Sequence, residues 1–314
     1  MVFTASRKNL DNFQCFFLKF NSRILCFKKY HYLFFHKCVS FLTQSSIFIA
    51  LNCFFLLYFS FLLYDIGEDF NVLLSSFFIT FTVYSFDKLS NIKEDLISLP
   101  ERAEFIYRYR KIISGAIIAS YILAFFLSIL TNPYALLTVH FPLFIGLVYS
   151  IKLLNIRFKD ITGIKNIVVA LSWAVVGTSF PLAISFQDVD KIIYVFYYIF
   201  IKFFINTTLF DIRDIKGDSM NGVITIPVFL GLKKSKNLLL ILNSTFIPWL
   251  MFSHLQGFFQ EYIFILIFSI LYGYWYIWHF CGEGREIGES LDLLVDGEFI
   301  IIVFLVSIRY FIWI

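Results

Sequence analysis

The sequence predicts an all-α fold, a polytopic membrane bundle of about nine transmembrane helices. Three observations predict it. Hydrophobic residues make up 59% of the 314-residue chain and charged residues only 15%, against about 45–50% and about 25% in soluble domains. The apolar residues gather into runs that approach or reach the about 20 residues a spanning helix needs. Lys and Arg concentrate in alternate loops, the asymmetry that orients membrane helices.

Residues 1–44 form a basic, aromatic arm, "NFQCFFLKFNSRILCFKKYHYLFFHK" at its centre. It holds no run long enough to span and no small-residue cleavage site, so it does not read as a signal peptide. Lys and Arg interspersed with Phe and Tyr place it in the cytoplasm or along the membrane interface. Residues 45–314 form the transmembrane domain. Spans are expected near 46–64, 70–87, 111–130, 134–150, 164–184, 191–209, 237–253, 261–279 and 297–314. Pro142 interrupts the fourth and Arg309 sits in the ninth.

The arm carries seven basic residues, from Arg7 to Lys37. The loops after spans two, four and six are also basic, with Lys88, Arg102, Arg108, Lys165, Arg213 and Lys216 among their residues. The loops after spans one, three, five and seven hold only Lys191. The arm and the three basic loops are therefore expected on the cytoplasmic side. Two other loops are acidic, "DIGEDF" and "EGREIGESLDLLVDGE", and both are expected to be solvated surface. The five cysteines are odd in number and lack a CxxC pair, which argues against a disulfide framework or a zinc site. The five histidines share no metal-ligand spacing. A net charge of +4 is modest, and no nucleic-acid partner is expected.

Two acidic motifs stand out. "YSFDKLSNIKEDLISLPERAEF" follows span two, and "DIRDIKGDSMNGVITIPVFLG" follows span six. Both fall at cytoplasmic ends of helices running the same way. Four helices separate them, which implies two four-helix units plus one helix. If span two continues as helix, Asp87, Asn91 and Asp95 stand at i, i+4 and i+8 on one face. Asp211, Asp214 and Asp218 stand at i, i+3 and i+7, within roughly 60° of one another. Facing across a bundle, the two sets would form an oxygen-rich cage suited to Mg²⁺, a hard cation that binds through carboxylates and substrate phosphates. Nearby Lys88, Lys93, Arg102, Arg213 and Lys216 offer the competing outcome, a salt-bridged rim.

At these residues the chain resembles the UbiA superfamily of intramembrane prenyltransferases. The resemblance covers roughly residues 45–310. That family carries aspartate-rich motifs after its second and sixth helices. The first is commonly NxxxDxxxD and reads Asp87–Asn91–Asp95 here, so the first two positions are exchanged. The Tyr84–x–x–Asp87–Lys88 opening looks like a mostly prokaryotic branch. The second, DxxxD, matches Asp214 and Asp218, and Asp211 stands where relatives often carry Asn or Asp. "YSIK" at 149–152 and "KN" at 165–166, before Trp173, also look familial.

The resemblance implies Mg²⁺-dependent transfer of a prenyl group from a prenyl diphosphate to a hydrophobic or aromatic acceptor within the bilayer. It implies Asp87, Asp95, Asp214 and Asp218 as catalytic residues, with Asn91 and Asp211 joining them as metal ligands. Arg102, Lys88 and Lys165 are the diphosphate-binding candidates, and Tyr84, Tyr149, Phe204 and Phe210 are among the aromatic faces for an allylic cation. It also implies an integral protein of a prokaryotic plasma membrane with a cytoplasmic-side site. The alternatives are a membrane transporter and a noncatalytic protein of the same fold.

Overall fold

The structure, a computed structural model, describes residues 37–92, 95–96, 99–150, 163–220, 222–282, 287–288 and 290–312. The chain divides into two units, Met1–Leu42 and Thr43–Ile314. In the first, residues 37–42 are helical; the rest of the basic arm lies outside the described residues.

The second unit is helical throughout its ordered elements. In chain order these are α1 (Ile47–Tyr64), α2 (Phe70–Ser90), α3 (Pro100–Thr131), α4 (Pro133–Ser150), α5 (Ile164–Leu182), α6 (Val189–Met220), α7 (Ile226–Leu230), α8 (Leu232–Ser244), α9 (Phe246–Leu255), α10 (Ile263–Phe280) and α11 (Glu298–Ile312). Among the described residues, seven helices are long and apolar enough to cross a membrane, α8 and α9 together making one of them. Two shorter apolar helices, Pro133–Ile145 and Glu298–Ile308, occupy the places of the fourth and ninth expected spans. The protein is an integral membrane protein.

Local chemistry sets the helix ends. Asp69 caps α2, its carboxylate accepting from the backbone N–H groups of Asn71 (2.8 Å) and Val72 (3.1 Å), which satisfies donors that the first turn leaves open. The "DIGEDF" loop therefore lies at the surface as expected, with Asp69 doing a capping task. Pro100 opens α3, where its fixed φ fits and no N–H is lost. Asn132 separates α3 from α4 and accepts from the Ala135 N–H at 2.9 Å. The seventh expected span is divided at Thr245. Pro248, three residues on, has no N–H to give the Ser244 carbonyl and crowds it.

Two helices overrun the bilayer. At 32 residues each, α3 and α6 are roughly 48 Å long at 1.5 Å per residue, against about 30 Å of hydrocarbon. The excess of α3 is its basic first third, and the excess of α6 is the Asp211–Asp218 segment. The second motif thus rides on a helix that continues out of the membrane instead of on a loop.

The core lies between helices. α2 packs on α3 and α1, α5 on α6, and α11 on α1. Small residues permit close approach, as is usual where no hydrophobic effect separates helix from lipid. A Cβ built on Gly177 of α5 would stand 2.6 Å from Ile199 Cδ1 of α6. Polar ties cross the interior as well. The Lys202 ammonium of α6 donates to Glu298 Oε1 of α11 at 2.6 Å and to the Ser269 carbonyl of α10 at 2.8 Å. Ser269 and Tyr276 of α10 donate to the same carboxylate. His140 packs by hydrogen bonds, to Tyr121 Oη at 2.9 Å and the Leu136 carbonyl at 2.8 Å.

Candidate functional site: a cavity between the two acidic motifs

The C-terminal halves of α2 and α6 face one cavity of ≈ 300 Å³. That is the low end of the range for small-molecule sites, about 300–1,000 Å³. α2 contributes Tyr84, Asp87 and Lys88, α6 contributes Asn206, Phe210 and Arg213, and α5 contributes Lys165 and Trp173. Arg102 reaches in from α3. Of the six motif positions expected to share one site, Asp87 alone lines this cavity; the second motif reaches it through Arg213 and the adjoining Phe210. Asp87 and all three diphosphate-binding candidates, Lys88, Arg102 and Lys165, line the same space.

The remaining carboxylates are arranged differently from a six-residue cage. α2 ends at Ser90, so Asn91 and Asp95 are not on its regular face. Isolated helical hydrogen bonds continue, from Asn91 N–H to the Asp87 carbonyl and from Asp95 N–H to the Asn91 carbonyl, each 3.0 Å. The Asn91 amide donates to Asp87 Oδ1 at 2.8 Å. Asp95 is held by Arg102 through two bonds, Nη2 to Oδ1 at 2.8 Å and Nε to Oδ2 at 3.2 Å. Asp211 is fully buried, with Lys165 donating to Oδ1 at 2.7 Å and Asn166 to Oδ2 at 2.8 Å. Asp214 pairs with the neighbouring Arg213, Nε to Oδ1 at 3.0 Å. Among the described residues, no three His, Cys, Asp or Glu side chains stand close enough together to hold a metal ion.

The physical reason is charge neutralisation in a partly dry site. Each carboxylate next to an Arg or Lys is stabilised by a charge-assisted bond, and those bonds draw Asp95, Asp211 and Asp214 toward their own cations. The salt-bridged rim and the metal cage compete for the same oxygens. Asp218 is the exception: its Oδ2 is buried and has no hydrogen-bond partner. A buried, unpaired carboxylate oxygen is costly, and a divalent cation is the partner that would relieve it. Asp218, one helical turn beyond Asp214, and Asp87 on the cavity wall carry hard carboxylate oxygens of the kind Mg²⁺ takes.

One expectation is corrected. The loop "EGREIGESLDLLVDGE" was expected to be solvated surface. Its described acidic residues turn inward. Asp292 and Asp296 line the cavity, one turn apart in a π-helical turn, Asp292–Asp296, a feature often found at functional sites. Arg213 Nη1 lies 3.3 Å from Asp292 Oδ2, and the Asn206 amide donates to Asp296 Oδ1 at 3.0 Å. Burial, with repulsion from Asp292 added, pushes the Asp296 carboxyl up to about 7. Glu298, the last residue of that loop, is the buried partner of Lys202. The i, i+4 spacing of Asp292 and Asp296, abutting an apolar run, was the available signal.

An aromatic wall faces these charges. Trp173 Nε1 donates to Tyr84 Oη at 2.9 Å, and the Trp173 ring stacks on Phe203, 4.2 Å between centroids and 7° between planes. Tyr84, Trp173 and Phe210 line the cavity; Phe204 packs against the core and is not among the lining residues. The side chain of Tyr149 lies outside the described residues, as do Lys93 and residues 151–162.

No curated protein sequence matches the chain significantly. Solved structures do match its fold. A UbiA homologue from Archaeoglobus fulgidus bound to GPP and Mg²⁺ superposes with a TM-score of 0.63 at 18% identity, over 84% of this chain and 97% of that one. The apo form of a UbiA homologue from Aeropyrum pernix K1 gives 0.63 at 17% identity, over 83% and 98%. A digeranylgeranylglyceryl phosphate synthase gives 0.55 at 18% identity, over 83% and 93%. The UbiA prenyltransferase family model matches residues 110–285, a segment that contains the second motif and begins after the first. With that match spanning more than half of the 314 residues, the chain belongs to the UbiA prenyltransferase family.

Proposed function

We propose that the protein transfers a prenyl group from a prenyl diphosphate to a hydrophobic acceptor within the membrane, with Mg²⁺ as cofactor. The observation that carries this is the shared cavity: Lys88, Arg102, Lys165 and Arg213, the first-motif carboxylate Asp87 and the rings of Tyr84, Trp173 and Phe210 border one space. Lys88, Arg102 and Lys165 bind the diphosphate, Arg102 with a planar fork that suits phosphate oxygens. Asp87, Asp214 and Asp218 hold the metal, with Asn91, Asp95 and Asp211 supporting them. Bound Mg²⁺ supplies charge neutralisation for the leaving diphosphate.

This chain's residues do the rest. The cations bordering the cavity stabilise negative charge as the C–O bond ionises. Tyr84, Trp173 and Phe210 present ring faces to the developing allylic cation and keep water away from it. The apolar prenyl tail extends toward lipid. The fold relatives solved with GPP or DMAPP and Mg²⁺ lend support to the donor class and the metal. The cytoplasmic side is assigned by the basic loops alone.

The test uses purified protein in lipid nanodiscs with Mg²⁺, labelled geranylgeranyl diphosphate and a panel of acceptors: 4-hydroxybenzoate, 1,4-dihydroxynaphthoate and a glycerophosphate ether lipid. Transfer to at least one acceptor is expected, stopped by EDTA and restored by Mg²⁺. Asp214→Ala and Asp218→Ala are each expected to lower turnover by about 10²-fold or more. Rates unaffected by EDTA, or near-normal turnover in both variants, would refute the proposal.

A further inference from the structure

We infer that Asp296 is the base that takes the acceptor's proton, and that the acceptor is therefore a protic molecule, one whose nucleophilic centre carries a hydroxyl or ring hydrogen it must lose. This rests on the transferase reading above. Four observations carry it. Asp296 lines the same cavity as Tyr84, Trp173 and Phe210, on an element that neither acidic motif contributes. No ion pair to Asp296 forms among the described residues, whereas Asp95, Asp211, Asp214 and Asp292 each have an Arg or Lys. The Asn206 amide binds Oδ1, which fixes the carboxylate plane and leaves Oδ2 for another partner. The π-helical turn and the Lys202–Glu298 pair two residues further on hold the carboxylate on a rigid support.

Charge decides between donor and acceptor. A diphosphate is repelled by a carboxylate that holds no ion pair of its own. An acceptor hydroxyl is attracted to it, because the carboxylate accepts its hydrogen bond. The step balances without a further reagent. The acceptor's electron pair forms the bond to C1 of the prenyl chain, the C1–O bond breaks with its electrons leaving on diphosphate, and the proton passes to Asp296 Oδ2. A base works best with a pKa near the working pH, and burial beside Asp292 places Asp296 there. The groups facing it are Asp292 on its own turn, Arg213 and Asn206 from α6, and Lys88 and Tyr84 from α2; Arg213 is engaged by Asp214 and Asp292.

The experiment compares wild type, Asp296→Asn and Asp296→Ala in nanodiscs, with geranylgeranyl diphosphate, Mg²⁺ and the acceptor panel above. Two quantities are read: transfer rate, and binding of a non-ionising geranylgeranyl thiodiphosphate. Both variants are expected to transfer about 10²–10⁴-fold more slowly while binding the thiodiphosphate within about threefold of wild type. Added formate is expected to restore part of the activity of Asp296→Ala, whose cavity admits it, and none to Asp296→Asn. The wild-type rate is expected to rise with pH through about 7, a limb absent from the variants. Wild-type transfer rates in Asp296→Asn would overturn the assignment. Loss of thiodiphosphate binding in both variants would also overturn it, placing Asp296 with the metal and donor instead. A wild-type protein that binds no thiodiphosphate and modifies no acceptor would instead refute the transferase reading itself.

Discussion

Replacing Lys202 with Met is expected to destabilise the protein severely, and the damage should be repaired by a second change at Glu298. The two side chains are 1% and 5% exposed and 2.6 Å apart. Lys202→Met leaves a carboxylate in the interior with two neutral donors, Ser269 Oγ at 2.8 Å and Tyr276 Oη at 3.3 Å. It also removes an ammonium that lies 5.5 Å from the Phe246 ring and 5.6 Å from that of Tyr276. Removing one partner of a buried pair costs about 3–5 kcal/mol, whereas neutralising both is often close to neutral. At about 2–4 °C per kcal/mol for chains of 150–250 residues, Lys202→Met lowers the midpoint by on the order of 10 °C. Lys202→Met combined with Glu298→Gln regains most of that loss, since Gln removes the buried charge and keeps its carbonyl oxygen as the acceptor for Ser269. The assay is thermal unfolding followed by tryptophan fluorescence in one detergent at fixed lipid content. A single variant that melts with wild type, or a double variant no more stable than the single, would refute the reasoning.

Arg102→Lys keeps the charge but loses the planar fork that holds Asp95 through Nε and Nη2. Binding of geranylgeranyl thiodiphosphate, measured by calorimetry, is expected to weaken about tenfold or more; unchanged affinity would remove Arg102 from the diphosphate site. Gly177→Leu forces α5 and α6 apart at Ile199, and a loss of about 1–3 kcal/mol is expected from overpacking. The same melting assay reads it, and an unaltered midpoint would mean that the helix contact is looser than it stands here. Asp211→Asn is expected to free the Lys165 ammonium from its 2.7 Å bond and to lower the melting midpoint, because the carboxylate ties α5 to α6. A variant with both stability and donor affinity unchanged would contradict that role.

The spans were legible because apolar runs and alternating basic loops are independent signals that agree. Seven helices and two shorter apolar ones fall where those runs lie. Helix ends were less legible. The Asp211–Asp218 segment is polar, so hydropathy ended the span near 209, yet its i, i+3, i+7 spacing was that of a helix continuing to Met220. The motif aspartates were visible as residue types in a pattern. Their individual partners were not, since whether Asp95 meets Arg102 or a cation depends on side-chain approach across a break in the helix. The inward turn of Asp292, Asp296 and Glu298 was missed for a related reason. An acidic stretch near glycines resembles solvated surface, and only the fold brings Arg213, Asn206 and Lys202 opposite it.

The central claim is that α2 and α6 together hold one divalent ion with the donor's diphosphate. Mn²⁺ in place of Mg²⁺ makes this measurable by electron paramagnetic resonance, with geranylgeranyl thiodiphosphate as the bound donor. One protein-bound Mn²⁺ that depends on the thiodiphosphate is predicted for wild type, and its loss in Asp87→Asn and in Asp218→Asn alike, although each variant changes only one helix. Mn²⁺ bound as well as in wild type by either variant, or bound without regard to the thiodiphosphate, would contradict a shared site.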